Sequence, residues 1–197
     1  MWWLFRNASS GLALTGPRIV LRPPRARDAD AWVALRRQSR DFLKPWEPTW
    51  PPDGASRAAF RRRHAQIRDE WRSNTGYGFL IFDHVQGVLV GGITLSNIRY
   101  GVSRTASLGY WTGAPFARQG YMTEAVACIL NHAFGQLDLH RVEAACLPHN
   151  AASRGLLLKC GFREEGLARG YLKIDGRWQD HALFAILRED ERPGGSR

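Results

Sequence analysis

The chain has 197 residues, of which 44% are hydrophobic and 23% are charged, a composition that is typical of one globular domain and argues against a disordered chain. The 28 basic and 18 acidic residues give a net charge of +10, which favours acidic partners such as RNA, ribosomes or a polyphosphate group. No apolar run is long enough for a membrane span, and the three cysteines share no disulfide or metal-binding spacing, so we expect a cytoplasmic protein that holds no metal.

The first third of the chain predicts one strand and two helices. Residues 15–22 form the expected strand, which Pro23-Pro24 ends. Helices are expected at about 28–39 and 56–73, because each begins at a capping aspartate or serine. The connecting Pro/Trp loop, residues 43–52, contains four prolines and two tryptophans and is therefore expected to be neither a helix nor a central strand.

The sequence after residue 76 predicts six strands and two helices, and the last two strands form a hairpin. The expected strands are a hairpin at 77–82 and 88–96, single strands at 107–111 and 141–147, and a final hairpin at 166–174 and 180–187 that turns at Asp175-Gly176. The expected helices are 121–134 and a segment from about 151 that ends at Gly161. This order predicts an α/β fold, with a mixed sheet and helices on both of its faces.

The segment from Leu108 to Ala125 contains, in this order, the end of a strand, a short loop and the start of a helix. The loop, Arg118-Gln119-Gly120, leads into the free backbone N–H groups of a helix N-terminus, which bind phosphate or pyrophosphate. Further along, Asn150 and Ser153 follow the next strand. Together the two segments predict a pocket for a long, phosphate-bearing cofactor.

Two motifs resemble those of the GNAT superfamily of acetyl-CoA-dependent N-acetyltransferases. Residues 117–122, ARQGYM, resemble the pyrophosphate loop Q/R-x-x-G-x-G/A and keep its central glycine, whereas Ala117 and Met122 depart from its first and last positions. Residues 150–162 fit the family pattern N-x-x-S, five residues, K-x-G-F. The resemblance implies a GNAT fold with a mixed, mostly antiparallel sheet of about seven strands in a single domain. We expect that domain at 15–192, preceded by an N-terminal extension at 1–14 and followed by a loose tail at 193–197.

Four further blocks resemble the RimJ/RimL type of this superfamily, the ribosomal-protein N-terminal acetyltransferases. They are residues 42–48, 109–110, 148–150 and 171–181. The resemblance implies transfer of acetyl from acetyl-CoA to the α-amino group of an N-terminal alanine or serine. The expected acceptor is a ribosomal protein, and the amine attacks acetyl-CoA directly in a ternary complex. Such an enzyme would be a monomer or a homodimer, and its basic surface would dock on the ribosome or on RNA.

The resemblance also implies where the cofactor lies. In the superfamily the asparagine of N-x-x-S binds the pantetheine arm and the serine lies near the thiol, which assigns these roles to Asn150 and Ser153. Many members carry a tyrosine general acid at about the position of Leu157, so Ser153 is our catalytic candidate for protonating or orienting the thiol. The residues expected at the cofactor are Tyr110, Trp111, Thr112, Arg118, Gln119, Gly120, Tyr121, Met122, Thr123, Asn150 and Ser153.

The acceptor side is predicted from the Pro/Trp loop. Glu47 is the candidate general base, because a carboxylate among tryptophans and prolines is unusual for packing alone; a solvated loop residue is the alternative. The acceptor groove is expected to be lined by Trp46, Glu47, Tyr77 and Tyr110, although aromatic residues of the core would give the same pattern.

Two other functions use the same residues. A small-molecule amine acetyltransferase, acting on an aminoglycoside or a polyamine, would share the cofactor motifs, but an acidic groove would be expected for a cationic substrate. A ribosome- or RNA-binding module without turnover would use the arginine clusters, yet the chain carries no recognised RNA-binding signature.

Overall fold

The computed structural model of the protein describes residues 12–192. The predicted tail and all but the last three residues of the predicted N-terminal extension therefore lie outside the described residues. The strands are β1 (Leu14–Thr15), β2 (Ile19–Arg22), β3 (Tyr77–Asp83), β4 (Leu89–Arg99), β5 (Thr105–Thr112), β6 (Arg141–Cys146), β7 (Arg163–Ile174) and β8 (Arg177–Leu187). They form one sheet in the order β1-β2-β3-β4-β5-β6-β8-β7, in which only β5 and β6 pair in parallel. A mixed, mostly antiparallel sheet is confirmed.

Five α-helices connect the strands. They are α1 (Ala29–Gln38), α2 (Arg40–Leu43), α3 (Arg57–Ser73), α4 (Tyr121–Asn131) and α5 (Ala151–Lys159). The cap predicted at Ser56 is confirmed, since its hydroxyl accepts from the Ala59 N–H at 3.1 Å, and the Asn150 side chain caps α5 by accepting from the Ser153 N–H at 3.0 Å. The cap predicted at Asp28 is wrong: its carboxylate makes no capping bond to α1 and accepts instead from Arg22 and from the Arg25 N–H. Short 3-10 turns occur at Ala26–Asp28, Lys44–Trp46 and Ala114–Phe116, and α4 runs on as a π-helical turn at His132–Gln136.

Two boundaries differ from the prediction. The strand expected at 15–22 is broken into β1 and β2 by a turn, in which the Gly16 N–H donates to the Ile19 carbonyl at 2.9 Å. The Pro/Trp loop, expected to contain no helix, begins with the 3-10 turn at 44–46, where Pro45 occupies a first-turn position that needs no N–H donor. The final hairpin is confirmed: Asp175 and Gly176 both have positive φ, 43° and 81°, as a tight hairpin turn requires.

The core lies on both faces of the sheet. Successive strand residues point to opposite faces, so the buried neighbours Leu80 and Ile81 belong to two different clusters. Leu80 packs with Trp32 of α1 and Phe60 of α3, whereas Ile81 belongs to the larger cluster that contains α4 and α5. Helices on both faces of the sheet are therefore confirmed.

The two parallel strands separate toward their C-terminal ends. Residues Thr105 to Leu108 of β5 pair with Arg141 to Ala144 of β6, and no pairing continues beyond them. β5 nevertheless runs on to Thr112 and β6 to Cys146. A gap therefore opens between the strands at this end of the sheet, and α4 and α5 begin just beyond it.

Candidate active site

The gap between β5 and β6 leaves backbone groups of β5 without a strand partner. Gly91 and Gly92 of β4 pair with Thr112 and Trp111 on one side of β5, while the opposite edge beyond Leu108 has no partner among the described strands. Space is open at Gly109, where an added Cβ would meet no described atom within 4 Å. An extended ligand with amide groups can therefore pair with this edge as a strand would.

The loop that follows β5 forms an anion-binding cradle. Arg118 and Gly120 have positive φ, 60° and 84°, on either side of Gln119, and this alternation turns successive N–H groups to one side. Within residues 12–192, the backbone N–H groups of 118–123 donate to no protein acceptor; the first engaged N–H is that of Glu124, which donates to the Gly120 carbonyl at 3.2 Å. We call these six N–H groups the anion cradle; with the α4 dipole behind them they can hold a pyrophosphate.

Arg18 fixes the anion cradle to the rest of the sheet. Its Nε and backbone N–H donate to the Glu124 carboxylate at 2.5 and 3.0 Å, and its Nη2 donates to the Gln119 carbonyl at 3.0 Å. Its guanidinium also lies 4.8 Å from the centre of the Tyr121 ring. The sequence reasoning missed Arg18, because its partner Glu124 is 106 residues away along the chain and no local pattern marks the pair.

The side chains of the predicted cofactor residues point in different directions. Tyr121 is buried and donates to Asp83 at 2.7 Å, a bond that raises the pKa of Tyr121. Met122 is 7% exposed and belongs to the core, so its size does not obstruct the cradle. Gln119 donates to the Pro115 carbonyl at 2.7 Å. Arg118 is exposed, and Thr112 and Thr123 are half-buried.

Tyr110 and Ser153 meet across the gap. The Tyr110 hydroxyl lies 2.6 Å from the Ser153 Oγ, and the Ser153 N–H donates to the Asn150 Oδ1 at 3.0 Å. Burial raises the pKa of Tyr110. Leu157, at the position where many family members have a tyrosine, is fully buried in the core. The sequence named Tyr110 and Ser153 separately, and the structure brings them into contact.

Glu47 is held by an arginine inside a box of tryptophans. Both of its oxygens accept from Arg36, at 2.8 and 2.6 Å, and one accepts from the Trp50 indole at 2.6 Å. The Arg36 guanidinium lies 4.0 Å from the Trp50 ring centre and 4.9 Å from that of Trp111. Trp111 can lie there because Gly92 beneath it has no side chain: an added Cβ would be 2.5 Å from the indole nitrogen. These contacts favour a positioning role for Glu47 over a role as proton acceptor.

The Pro/Trp loop joins two other segments to make a rim. The Trp46 ring packs on that of His149, with 5.6 Å between ring centres, just before α5. The Glu47 carbonyl accepts from the Asp175 N–H at 3.0 Å, at the turn between β7 and β8. We call Trp46, Glu47, His149 and the turn at Asp175 the rim. His149 and Asp175 were not among the predicted site residues.

Tyr77 lies apart from the rim, and its predicted role in acceptor binding is not supported. It is 7% exposed, packs edge-on against Trp71 at 4.7 Å between ring centres and donates to the Asn74 side chain at 2.8 Å. None of the contacts that form the rim includes Tyr77. Tyr77 is therefore a core aromatic residue, the alternative that the composition left open.

The described residues, 12–192, contain neither a metal-binding cluster nor a membrane-spanning helix. No group of three or more histidine, cysteine or acidic side chains could hold a metal ion. Within the same residues, no helix combines the length and the apolar character needed to cross a membrane.

Comparison with known proteins identifies the family. The acetyltransferase (GNAT) domain model matches residues 18–163. The chain belongs to the GNAT family of acetyltransferases. The structure therefore shows a GNAT fold with eight strands rather than about seven, since the count includes the two-residue β1.

Three GNAT relatives resemble the chain over most of its length. It is 35% identical over 178 residues to the probable N-acetyltransferase YjcK of Bacillus subtilis, covering 90% of this chain and 98% of the relative. It is 32% identical over 190 residues to the ribosomal protein uS5-alanine N-acetyltransferase of Escherichia coli, covering 96% and 98%. RimJ of Mycobacterium smegmatis, solved in complex with CoA-disulfide, superposes with a TM-score of 0.83 at 38% identity, covering 89% of this chain and 86% of that one.

Proposed function

We propose that the chain transfers the acetyl group of acetyl-CoA to the α-amino group of a protein N-terminus that begins with alanine or serine, with a ribosomal protein as the acceptor. The observation that carries the proposal is the gap between β5 and β6, which opens toward the anion cradle and contains the Tyr110–Ser153 pair. The Escherichia coli relative that is named for the alanine of ribosomal protein uS5 supports the choice of acceptor. A ribosomal acceptor also agrees with the cytoplasmic location expected from the sequence.

The residues around the gap fit coenzyme A. The anion cradle offers N–H donors for the pyrophosphate, and the unpaired edge of β5 offers backbone groups to the amide-bearing pantetheine arm. The side-chain N–H groups of Asn150 donate to no acceptor within residues 12–192 and are available to the same arm. When bound, acetyl-CoA supplies the acetyl group as an activated thioester.

The acceptor chemistry needs little base catalysis. An α-amino group has a pKa of about 7.7 to 8.0, so roughly a tenth of it is neutral near pH 7. We assign to Glu47, whose oxygens are already engaged by Arg36 and Trp50, the task of accepting a hydrogen bond from the amine and holding it in place. Proton uptake by Glu47 is the alternative, which the Glu47→Gln variant below tests.

Direct attack in a ternary complex is favoured over an acetylated enzyme. Burial raises the pKa of the Cys128 and Cys146 thiols, and it raises that of Cys160 to about 11. Because the thiolate is the nucleophilic form of cysteine, none of the three cysteines is ready to accept the acetyl group at neutral pH. Holding both substrates together in the gap supplies rate through proximity instead.

A peptide fits the acceptor side better than a small cationic amine. The rim is assembled from three separate segments, as suits an extended acceptor that contacts each of them. Glu47, the one carboxylate of the Pro/Trp loop, is already neutralised by Arg36. The acidic groove that an aminoglycoside or a polyamine would require is therefore missing from that loop.

A basic surface formed by α1, α2, α3 and the 3-10 turn before α1 supports docking to ribosomal RNA. Several exposed arginines there form no ion pair within the described residues: Arg25, Arg27, Arg37, Arg40, Arg61 and Arg63. A cavity of about 280 Å³, lined in part by Arg37, Arg40 and Trp50, opens on the same surface. Phosphate groups are the natural partners of such a surface, and their binding weakens steeply with salt.

Turnover of acetyl-CoA against a panel of acceptors tests the proposal. Thiol release is measured with peptides that begin with Ala, Ser or Met, with their N-acetylated forms, and with an aminoglycoside and spermidine. We expect turnover with the free Ala and Ser peptides only. Binding of an RNA fragment at low and high salt, with Arg61→Gln as the variant, tests the docking surface on the same preparation.

Two variants locate the chemistry on the acceptor panel. If Glu47 holds the amine, Glu47→Gln raises the KM for the peptide more than it lowers kcat; if Glu47 takes up the proton, kcat falls roughly 100-fold or more. Glu165→Gln is the matched control, because Glu165 also pairs with an arginine but lies on the edge strand β7. Turnover with spermidine and none with peptides would contradict the proposal.

A further inference from the structure

The proton donor that many GNAT enzymes place on α5 has no counterpart at that position here. Leu157 occupies it and is fully buried against the core. Ser153 remains as the hydroxyl beside the gap, and an aliphatic alcohol by itself is a weak acid. The site therefore calls for a second group that improves Ser153 as a donor.

Tyr110 is placed to do this from the opposite side of the gap. Its hydroxyl lies 2.6 Å from the Ser153 Oγ, although 43 residues separate the two along the chain. A phenol is more acidic than an alcohol, so the favoured direction of the bond has Tyr110 donating and Ser153 accepting. Ser153 then keeps its own proton free for another acceptor.

Backbone hydrogen bonds hold Ser153 and Tyr110 next to each other. The Ser153 N–H donates to Asn150 at the start of α5, and Tyr110 is fixed by its pairing with Ile93 in β4. Burial raises the pKa of Tyr110 above its ordinary value, so the phenol retains its proton through the neutral and mildly alkaline range. Tyr110 can therefore donate its hydrogen bond throughout the neutral and mildly alkaline range, in which the acceptor amine becomes reactive.

We propose that Tyr110 is a positioning residue that acts through Ser153: it donates to the Ser153 Oγ and thereby directs the Ser153 proton to the sulfur of the leaving thiol. The inference rests on the proposed function, because it needs coenzyme A in the gap. As the bond between the acetyl carbon and sulfur breaks, its electron pair goes to sulfur, and the hydrogen bond from Ser153 stabilises the charge that builds there. Ser153 keeps its proton throughout: the thiolate leaves and takes a proton from solvent, which balances the proton that the attacking amine gives up to solvent.

A purely structural role for the bond would give a different result. A buried phenol needs a hydrogen-bond partner, and Ser153 would satisfy it whether or not the thiol were present. In that case loss of the bond would lower stability and leave the ionisation of a bound thiol unchanged. The test therefore reads that ionisation directly, without turnover.

The experiment titrates the thiol of bound coenzyme A by its thiolate absorbance in wild type, Tyr110→Phe, Ser153→Ala and the double variant. In wild type we expect a thiol pKa below the value of free coenzyme A. Ser153→Ala is expected to reduce the ionisation constant roughly tenfold, as loss of one hydrogen bond implies. Tyr110→Phe is expected to reduce it in the same direction by a smaller factor, and the double variant no more than Ser153→Ala. Tyr100→Phe is the matched control, since Tyr100 is exposed and lies in the turn after β4.

Affinity for desulfo-coenzyme A, which lacks the thiol, checks that each variant keeps a folded donor site, and Ser153→Ala tests the same hydrogen bond if Tyr110→Phe does not fold. A thiol pKa unchanged by Tyr110→Phe in a site that still binds desulfo-coenzyme A overturns the inference alone. The inference is also overturned if Tyr110→Phe changes the thiol pKa in a protein that already carries Ser153→Ala. Failure of the wild type to bind coenzyme A at all overturns the proposed function and this inference with it.

Discussion

The anion cradle and the Pro/Trp loop bound the same site but are built in opposite ways. In the cradle, the N–H groups of 118–123 are left without acceptors among the described residues, and the loop is held in place through the Gln119 carbonyl, which accepts from Arg18, and the Gln119 side chain, which donates to Pro115. In the Pro/Trp loop, both oxygens of Glu47, its carbonyl and the Trp50 indole are all engaged by other groups of the protein.

The difference follows from what each loop has to recognise. A pyrophosphate is the same in every turnover, so backbone donors of fixed direction suffice, and the side chains around them can vary, as Ala117 and Met122 do. An acceptor must be distinguished from other amines, which requires side chains held in one arrangement. A substitution in the cradle should therefore affect the donor alone, and one in the Pro/Trp loop should affect the acceptor and stability.

The largest effect is expected for Arg36→Met. Breaking a largely buried ion pair leaves the Glu47 carboxylate without its partner, so the free energy of unfolding should fall by roughly 3 kcal/mol and the peptide KM should rise. Urea denaturation measures the first and initial rates the second. Arg40→Met is the control, because Arg40 is exposed and unpaired within the described residues. Equal losses in both variants would show that the Arg36–Glu47 ion pair does not hold the Pro/Trp loop in place.

A smaller effect, confined to the donor, is expected for Gly120→Ala. At φ 84° a side chain is strained, and its Cβ would lie 3.1 Å from the Arg18 Nη2, so the cradle should distort at a cost of roughly 1 to 2 kcal/mol. The Kd for coenzyme A, measured by calorimetry, should rise about tenfold with the peptide KM unchanged. Gly101→Ala carries a similar strain, at φ 74° in open space; a matching loss of coenzyme A affinity there would contradict the assignment.

The smallest effect is expected for Arg18→Gln. The pair with Glu124 is half exposed on the arginine side, and such pairs contribute about 1 kcal/mol or less, so the melting temperature should change little. Loss of the bond to the Gln119 carbonyl should still loosen the cradle and raise the Kd for coenzyme A a few-fold. Arg57→Gln, which breaks an exposed pair with Asp30, should leave that Kd unchanged. If Arg18→Gln also leaves the Kd unchanged, the loop keeps its shape without Arg18.

The parts of the site that sequence reasoning identified are local ones. The cradle and the cap of α5 each lie within a few consecutive residues, so turn and helix chemistry was enough to find them. The pairs that complete the site join distant segments, such as Arg18 with Glu124 and Tyr110 with Ser153. Their chemistry is visible in the sequence, but their proximity is not.

The errors have similar physical causes. The residue type of Tyr77 suits an acceptor groove, but aromatic character does not say whether a side chain lines a groove or packs in the core. The first strand is not continuous because the chain turns at Gly16 and Pro17. A proline has no N–H for the ladder, and the chain turns there to add β1 as an extra strand.

The hydrogen bond between the Asp175 N–H and the Glu47 carbonyl ties the acceptor side of the site to the far edge of the sheet. β8 pairs with β6 from Leu187 to Ala182, so one hairpin both supports the strand beside the gap and supplies the turn that completes the rim. A change in the β7–β8 hairpin can therefore reach both substrates, through β6 on the donor side and through the rim on the acceptor side.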